Sequence, residues 1–517
     1  MGGGAVAALT PIFARAKHSV DRPLAMTTAG AVHGYREGGV TIFKGVRYGA
    51  DTRPRRFEKP LKPLPWTDVV DALDYGPAAP QSGANEKASE DCLFLNVWTP
   101  GLADGGKRPV MIYFHGGAYN SGSGGSPLTD GRRLAATGDV VVITVNHRLN
   151  AFGYLYLPIL ASEFADSGNA GMWDLVLALE WARDNAVAFG GDPARVMVFG
   201  QSGGGAKIAT LMAAPSAKGL FHSAATMSGQ QITASGPLNA IARARAFLDA
   251  LSIAPNNAAA LKALPAERIV EALTTPDAID SSRGGTYFGP VLDERFLTRH
   301  PFYPDAPAQS ADIPMIIGNT HDETRTLIGR GEPDAFALSW DDAPARLAKH
   351  MRIDISPALV IAEYRRLYPD YSPSDVFFAA TTAGRSWRAA WMEAELRAAQ
   401  GAPTWVYQMD LSSPLDGGKW GAPHTIDIPL AFDTCDKEGS MTGTGAAAQR
   451  VADLVSGAFI SLAKNGDPNG GRLPAWRPYL LPERQTMVFD RITRLESDPR
   501  GGERALFSKV PFTQWGS

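Results

Sequence analysis

Apolar positions fall into short alternating runs near the start of the chain and into continuous runs further on. Residues 32–35 and 40–43 alternate between breaks of Gly and Pro and read as antiparallel strands. Residues 91–98 and 110–114 are longer apolar strands. The run 140–146 (Val-Val-Val-Ile-Thr-Val-Asn) carries apolar residues on both faces, as a strand covered on both sides does. At 173–185 the period changes: Leu175, Leu179 and Ala182 share one helical stripe, with Ala178 and Trp181 beside it. Strands follow at 196–199, 224–228, 313–318 and 404–409, and 206–212 suits a helix. This alternation predicts a large, mostly parallel central sheet with helices on both faces, an α/β architecture.

Two helical segments, about 237–275 and 340–400, interrupt the rhythm. Insertions beyond the carboxyl ends of parallel strands predict a cap over a pocket. The proline-rich stretch 54–65 reads as an extended surface segment, and the tail after Asn465 as irregular apart from a strand-like 486–489. With no internal repeat and no linker, residues 27–517 are expected to form a single domain. Residues 1–26 are expected to be a poorly ordered extension, or what remains of a processed leader.

Composition narrows the function. The chain has 517 residues, 44% hydrophobic and 20% charged, which is ordinary for a globular protein able to bury a large core without a metal or disulfide staple. Fifty basic and 53 acidic residues leave a net charge of −3, which gives no electrostatic case for nucleic acid or an anionic membrane. No apolar run is long enough to span a bilayer, so no stable membrane insertion is expected. The expected compartment is the cytoplasm, or the periplasm or exterior if a leader has been removed. Two cysteines, Cys92 and Cys435, rule out a disulfide scaffold and are expected to be free buried thiols.

Candidate chemistry begins at Arg195-Val196-Met197-Val198-Phe199-Gly200-Gln201-Ser202-Gly203, where a short strand runs into Gly-x-Ser-x-Gly and then into a helix-compatible segment. The pentapeptide alone recurs by chance in a glycine-rich chain. In a strand–turn–helix context it is an elbow that lifts a serine oxygen above the sheet. Acyl transfer also needs a base, an orienting acid and donors for an oxyanion. His115-Gly116-Gly117-Ala118-Tyr119, directly after the strand 110–114, offers flexible backbone amides for the donors. Glu323 lies just past the strand 313–318, with Asp322 as its rival for the acid. His424, in Gly421-Ala422-Pro423-His424, sits on a loop after a strand and is the base candidate. The order Ser202, Glu323, His424 is the nucleophile–acid–base order of α/β-hydrolases. Neither a His-Glu-x-x-His zinc motif nor a dinucleotide glycine fingerprint is present, and no cofactor is expected.

Several blocks together resemble the type-B carboxylesterases, the α/β-hydrolase family that includes bacterial para-nitrobenzyl esterases and cholinesterases. They are Phe43-Lys44-Gly45-Val46-Arg47-Tyr48, Ser89-Glu90-Asp91-Cys92-Leu93-Phe94-Leu95-Asn96-Val97, Asn146-His147-Arg148, and Gly168-Asn169-Ala170-Gly171-Met172-Trp173-Asp174. The resemblance runs from about Gly30 to Phe512. It implies the α/β-hydrolase fold with helical cap insertions and a Ser202–Glu323–His424 triad. It implies an oxyanion hole made by Gly117, Ala118 and Gly203, and structural ion pairs Arg56–Glu90 and Arg148–Asp174. The implied reaction is hydrolysis of small carboxylic esters, short-chain alkyl or aryl, through an acyl-enzyme, by a monomer or weak homo-oligomer. The alternatives are a non-catalytic binding or adhesion protein on the same fold, which would typically lack the nucleophile, and a lipase- or amidase-type serine hydrolase.

The chain departs from that family pattern at identifiable places. Gln201 stands where glutamate is usual, Thr324 where glycine is usual, and Leu175 where glutamine is usual. The segment 81–89 is short and has no tryptophan, so a choline site is not expected, and Cys92 has no upstream cysteine for the eukaryotic loop disulfide. These differences point to a bacterial-type general esterase. Tyr119, Phe288, Trp387 and Tyr407 are the aromatic candidates for lining its gorge.

Overall fold

The computed structural model describes residues 22–83, 87–281, 284–351, 353–514 and 516. Most of the expected N-terminal extension therefore lies outside the described residues. Its last part enters the first strand, β1 (Leu24–Met26). The other strands are β2 (Ala31–His33), β3 (Tyr35–Glu37), β4 (Val40–Arg47), β5 (Val70–Asp71), β6 (Phe94–Thr99) and β7 (Arg108–Phe114). After them come β8 (Val141–Val145), β9 (Gly191–Gln201), β10 (Ser223–Met227), β11 (Met315–Thr320), β12 (Thr404–Met409), β13 (Gln485–Phe489) and β14 (Arg494–Ser497). An 11-stranded sheet runs β14-β13-β12-β11-β10-β9-β7-β8-β6-β4-β3, while β1, β2 and β5 form a small separate sheet. From β13 to β8 in that order every pairing is parallel. At the edges, β14 on one side and β6, β4 and β3 on the other are antiparallel.

Alternation along the central strands divides the interior into two cores. Val110, Ile112 and Phe114 of β7 join the core that includes Leu175 and Leu179 of the helix Ala170–Asn185 and Ile208 and Leu211 of the helix Gly203–Ala213. Met111 and Tyr113 point the other way, into a core with Val455 and Phe459 of the helix Ala446–Asn465. Helices thus cover both faces, as the α/β-hydrolase fold requires. The helix Ala170–Asn185 is buried nearly all round rather than along a single stripe, because the helix Asn150–Tyr154 packs against it as well.

The two helical interruptions serve both packing and the pocket. The helix Pro237–Ala250 sends Ala244, Phe247 and Leu248 into the first core. Helices Ala343–His350, Pro357–Leu367 and Pro373–Thr382 build a third, smaller core around Leu347, Tyr364 and Phe377. The tail is more regular than its sequence suggests. It holds β14 and a helix, Gly501–Phe507, whose Leu506 and Phe507 complete that third core. Cys92 and Cys435 are free and buried.

Both implied ion pairs are present in the interior. Arg56 Nε donates to Glu90 Oε2 at 2.7 Å. Arg148 donates from Nε to Asp174 Oδ2 at 2.9 Å and from Nη2 to Oδ1 at 2.6 Å, with the two side chains 2% and 0% exposed. Arg148 also donates to Glu58 O at 2.7 Å, tying the N-terminal segment to the helix Ala170–Asn185. Replacing Arg148 with methionine strands the Asp174 carboxylate in the interior and is expected to cost about 3–5 kcal/mol. Urea unfolding should show the midpoint falling with the slope retained. A variant within about 1 kcal/mol of wild type would show that the pair is not a structural clamp.

Candidate active site

Strand β9 ends at Gln201 and the helix Gly203–Ala213 starts two residues later. Ser202 makes the turn alone, at φ 55° and ψ −125°. A non-glycine residue tolerates this backbone only where its surroundings enforce it. Here Ser202 N donates to Met227 O of β10 at 2.7 Å, and Ser202 O accepts from Ala206 N at 3.1 Å. The glycines of the motif let the elbow press against neighbouring backbone. A Cβ on Gly204 would fall 1.9 Å from Phe114 O, and one on Gly203 would fall 2.0 Å from Ala118 O.

Strand β7 delivers the second component. After Phe114 the chain turns through Gly117 at φ 80° and Ala118 at φ 52°, and Gly117 O accepts from Asn120 N and Ser121 N, both at 3.1 Å. Among the described residues, the amides of Gly117, Ala118 and Gly203 donate to no protein acceptor. All three residues border the same cavity as Ser202. Unpaired donors at a helix N-terminus and a strained turn can receive a developing negative charge.

Glu323 opens the short helix Glu323–Leu327 just past β11. It is fully buried. Its Oε1 accepts from Thr320 N at 3.0 Å and from Asn319 Nδ2 at 3.3 Å, while Oε2 pairs with His424 Nδ1. Burial alone would raise this carboxyl. The charge and hydrogen bond of His424, with the Ser228 hydroxyl and the Thr320 amide, outweigh burial and hold it below its ordinary value. Asp322, the rival, is turned elsewhere: it accepts from Ala422 N at 2.9 Å and from Arg325 Nε at 3.2 Å. Thr324, the departure from glycine, donates its hydroxyl to Phe378 O at 2.7 Å and so ties this loop to the helix Pro373–Thr382.

His424 lies on the loop between β12 and the helix Asp427–Phe432 and is 8% exposed. It and Ser202 line the same cavity, but no hydrogen bond joins their side chains. Gln201 Nε2 lies instead 3.2 Å from Nε2 and 3.4 Å from Nδ1 of His424. Near-equal distances to both ring nitrogens place that amide beside the imidazole without aiming it along one lone pair. Serine–histidine contacts are often long without substrate and tighten when it binds.

The cavity measures about 800 Å³, within the range of small-molecule sites. Tyr119 and Phe288 line it, whereas Trp387 and Tyr407 do not. Tyr407 is buried beneath, its hydroxyl donating to Asp427 Oδ2 at 2.8 Å. Sequence reasoning missed the polar wall of the cavity, Gln230, Gln231 and Gln514. Glutamines in loops carry no periodic or motif signal. Gln231 accepts from the Tyr119 hydroxyl at 3.0 Å, and Gln514 accepts from Ile232 N at 3.0 Å.

A sequence model described as the carboxylesterase family matches residues 21–500. The chain is 32% identical over 490 residues to the para-nitrobenzyl esterase of Bacillus subtilis, covering 92% of this chain and 97% of the relative. It is 33% identical over 505 residues to a phenmedipham hydrolase of Pseudarthrobacter oxydans, covering 91% and 95%. Among solved structures, the Geobacillus stearothermophilus carboxylesterase EST55 superposes with a TM-score of 0.83 at 34% identity, covering 94% of this chain and 99% of that one.

Proposed function

The chain belongs to the carboxylesterase family and is a carboxylic ester hydrolase, and from that premise we propose that it is a serine esterase with Ser202 as nucleophile, His424 as base and Glu323 as the acid that orients the base. The observation that carries the proposal is that Ser202, the unpaired amides of Gly117, Ala118 and Gly203, and His424 border one cavity, with the buried Glu323 carboxylate paired to His424 behind it.

In the first half-reaction His424 Nε2 takes the Ser202 proton as Oγ attacks the ester carbonyl, and the three amides receive the oxyanion. The imidazolium returns the proton to the alkoxide, which leaves as alcohol with the acyl group on Ser202. Water, deprotonated by the same imidazole, then cleaves the acyl-enzyme. Glu323 stabilises the imidazolium in both halves. The mechanism calls for no cofactor. The proposed substrates are short-chain alkyl or aryl esters. The name of the Bacillus subtilis relative favours esters that carry an aromatic ring, and the aromatic pair Tyr119 and Phe288 offers a surface for it.

The test is hydrolysis of para-nitrophenyl esters from acetate to laurate, together with labelling by a fluorophosphonate. Fastest turnover on the short chains and a label on the peptide containing Ser202 are expected. Turnover of no ester by the folded protein, or a label elsewhere with activity abolished, would overturn the proposal.

A further inference from the structure

The helix Gly203–Ala213 reads Gly-Gly-Gly-Ala-Lys-Ile-Ala-Thr-Leu-Met-Ala and is buried along its whole length. Lys207 is its charged residue and is 0% exposed. It follows Gly203 by one helical turn on the same face, and helical side chains lean back toward the N-terminus. That lean carries Nζ to the turn after β7, where it donates to Ala118 O at 2.7 Å and to His115 O at 3.3 Å.

The surroundings of Nζ offer no counter-ion. Among the described residues no carboxylate pairs with Lys207, and its other neighbours are the Tyr119 ring at 5.1 Å and two imidazoles. Those imidazoles, His115 and His147, stack at 4.6 Å between centroids. Burial and the nearby lysine hold both below their ordinary values, His115 at about 3. Burial lowers Lys207 itself to about 7. An amine in this place is an expensive way to fill space that methionine would fill without desolvating a charge. The carbonyl it holds is also the one packed against Gly203, since a Cβ there would fall 2.0 Å from Ala118 O. One contact therefore locks Lys207, Ala118 and Gly203 together, between the unpaired amides.

We propose that Lys207 is a positioning residue for the oxyanion hole: by holding the carbonyls of His115 and Ala118 it fixes the turn 115–118 so that the Gly117 and Ala118 amides face the reacting carbonyl oxygen. This rests on the reading of those amides as the oxyanion hole. The experiment compares wild type, Lys207→Met and Lys207→Gln for kcat and KM on para-nitrophenyl acetate, for inhibition by an aryl trifluoromethyl ketone, and for thermal unfolding. The ketone reports on the hole directly. Ser202 Oγ adds to its carbonyl carbon, the carbonyl π bond opens to an oxyanion, and the serine proton passes to His424.

Lys207→Met is expected to lose about 10- to 100-fold in kcat, with KM nearly unchanged, ketone affinity falling by a similar factor, and Tm equal to wild type or higher. Lys207→Gln, which keeps a donor, is expected to fall between the two. Wild-type kcat and ketone affinity in Lys207→Met would overturn the proposal. So would loss of the fold or a lowered Tm in either variant, since the lysine would then be structural. If wild type itself fails to bind the ketone, the oxyanion reading fails. If it binds and Lys207→Met binds equally, only the role of Lys207 does.

Discussion

Replacing Ser202 with alanine is expected to lower kcat for para-nitrophenyl acetate by about 10⁵- to 10⁶-fold, the scale seen when a serine hydrolase loses its nucleophile. The elbow should survive. The hydrogen bonds that hold the turn run through the Ser202 backbone, from its amide to Met227 O and to its carbonyl from Ala206 N, and none needs Oγ. Alanine also stands at positive φ at position 118 of the same site. Thermal unfolding of the variant should therefore stay close to wild type while activity disappears. The residual rate should remain about 10³-fold or more above the uncatalysed reaction, because the unpaired amides of Gly117, Ala118 and Gly203 still bind the oxyanion when water attacks directly. Turnover within tenfold of wild type, in protein free of wild-type contamination, would remove Ser202 from the mechanism. It would leave the cavity as a binding site for some other chemistry.

The parts of the molecule legible from sequence are those whose physics is local. The run 404–409 reads as a strand and is one, because apolar and β-branched residues between turn signals leave little choice. The Gly-x-Ser-x-Gly turn is legible because backbone approaches closely at Gly200, Gly203 and Gly204, and each of those approaches can be measured in the structure. Boundaries set by a neighbour are less legible. Strand β9 begins at Gly191, five residues ahead of the apolar run 196–199, because Arg108 of β7 pairs with it. The helix Gly501–Phe507 is hidden behind two glycines and a polar start. It forms because Glu503 meets not only the neighbouring Arg500 but also Tyr364 and Tyr368 in the interior, partners far away in the chain. The site divides the same way. Ser202, Glu323 and His424 carry motif signals; Ser202 and His424 line one cavity, and Glu323 is buried against His424. Lys207 carries a signal of its own, as the charged residue of an otherwise uncharged helix. Gln201 stood out only as a departure from a family pattern, and its position beside the imidazole needed coordinates.

Replacing Glu323 with glutamine should lower kcat by about 10⁴-fold with little change in size or packing. The reason is the tautomer. Glu323 Oε2 faces Nδ1 of His424, so the carboxylate keeps a proton on Nδ1 and leaves Nε2 free to take the serine proton. A glutamine can turn its NH₂ toward Nδ1, where it stabilises the opposite tautomer. Nε2 then carries the proton and cannot act as a base. Oε1 has separate duties, accepting from Thr320 N and Asn319 Nδ2, and the glutamine carbonyl oxygen can take these over. That division of labour is why the amide should fit and still fail. Stability adds a second reading. The Glu323 carboxyl titrates below its unfolded value, so its ionisation favours the folded state above the unfolded range, and that contribution is lost as pH falls through the folded value. The variant has no such contribution. Its stability deficit should be full near neutrality and shrink on acidification. Urea unfolding at a series of pH values measures it. A deficit that is constant or grows toward low pH would mean that Glu323 is not held ionised by His424, and kcat within tenfold of wild type would give the orienting role to another group, with Asp322 next in line.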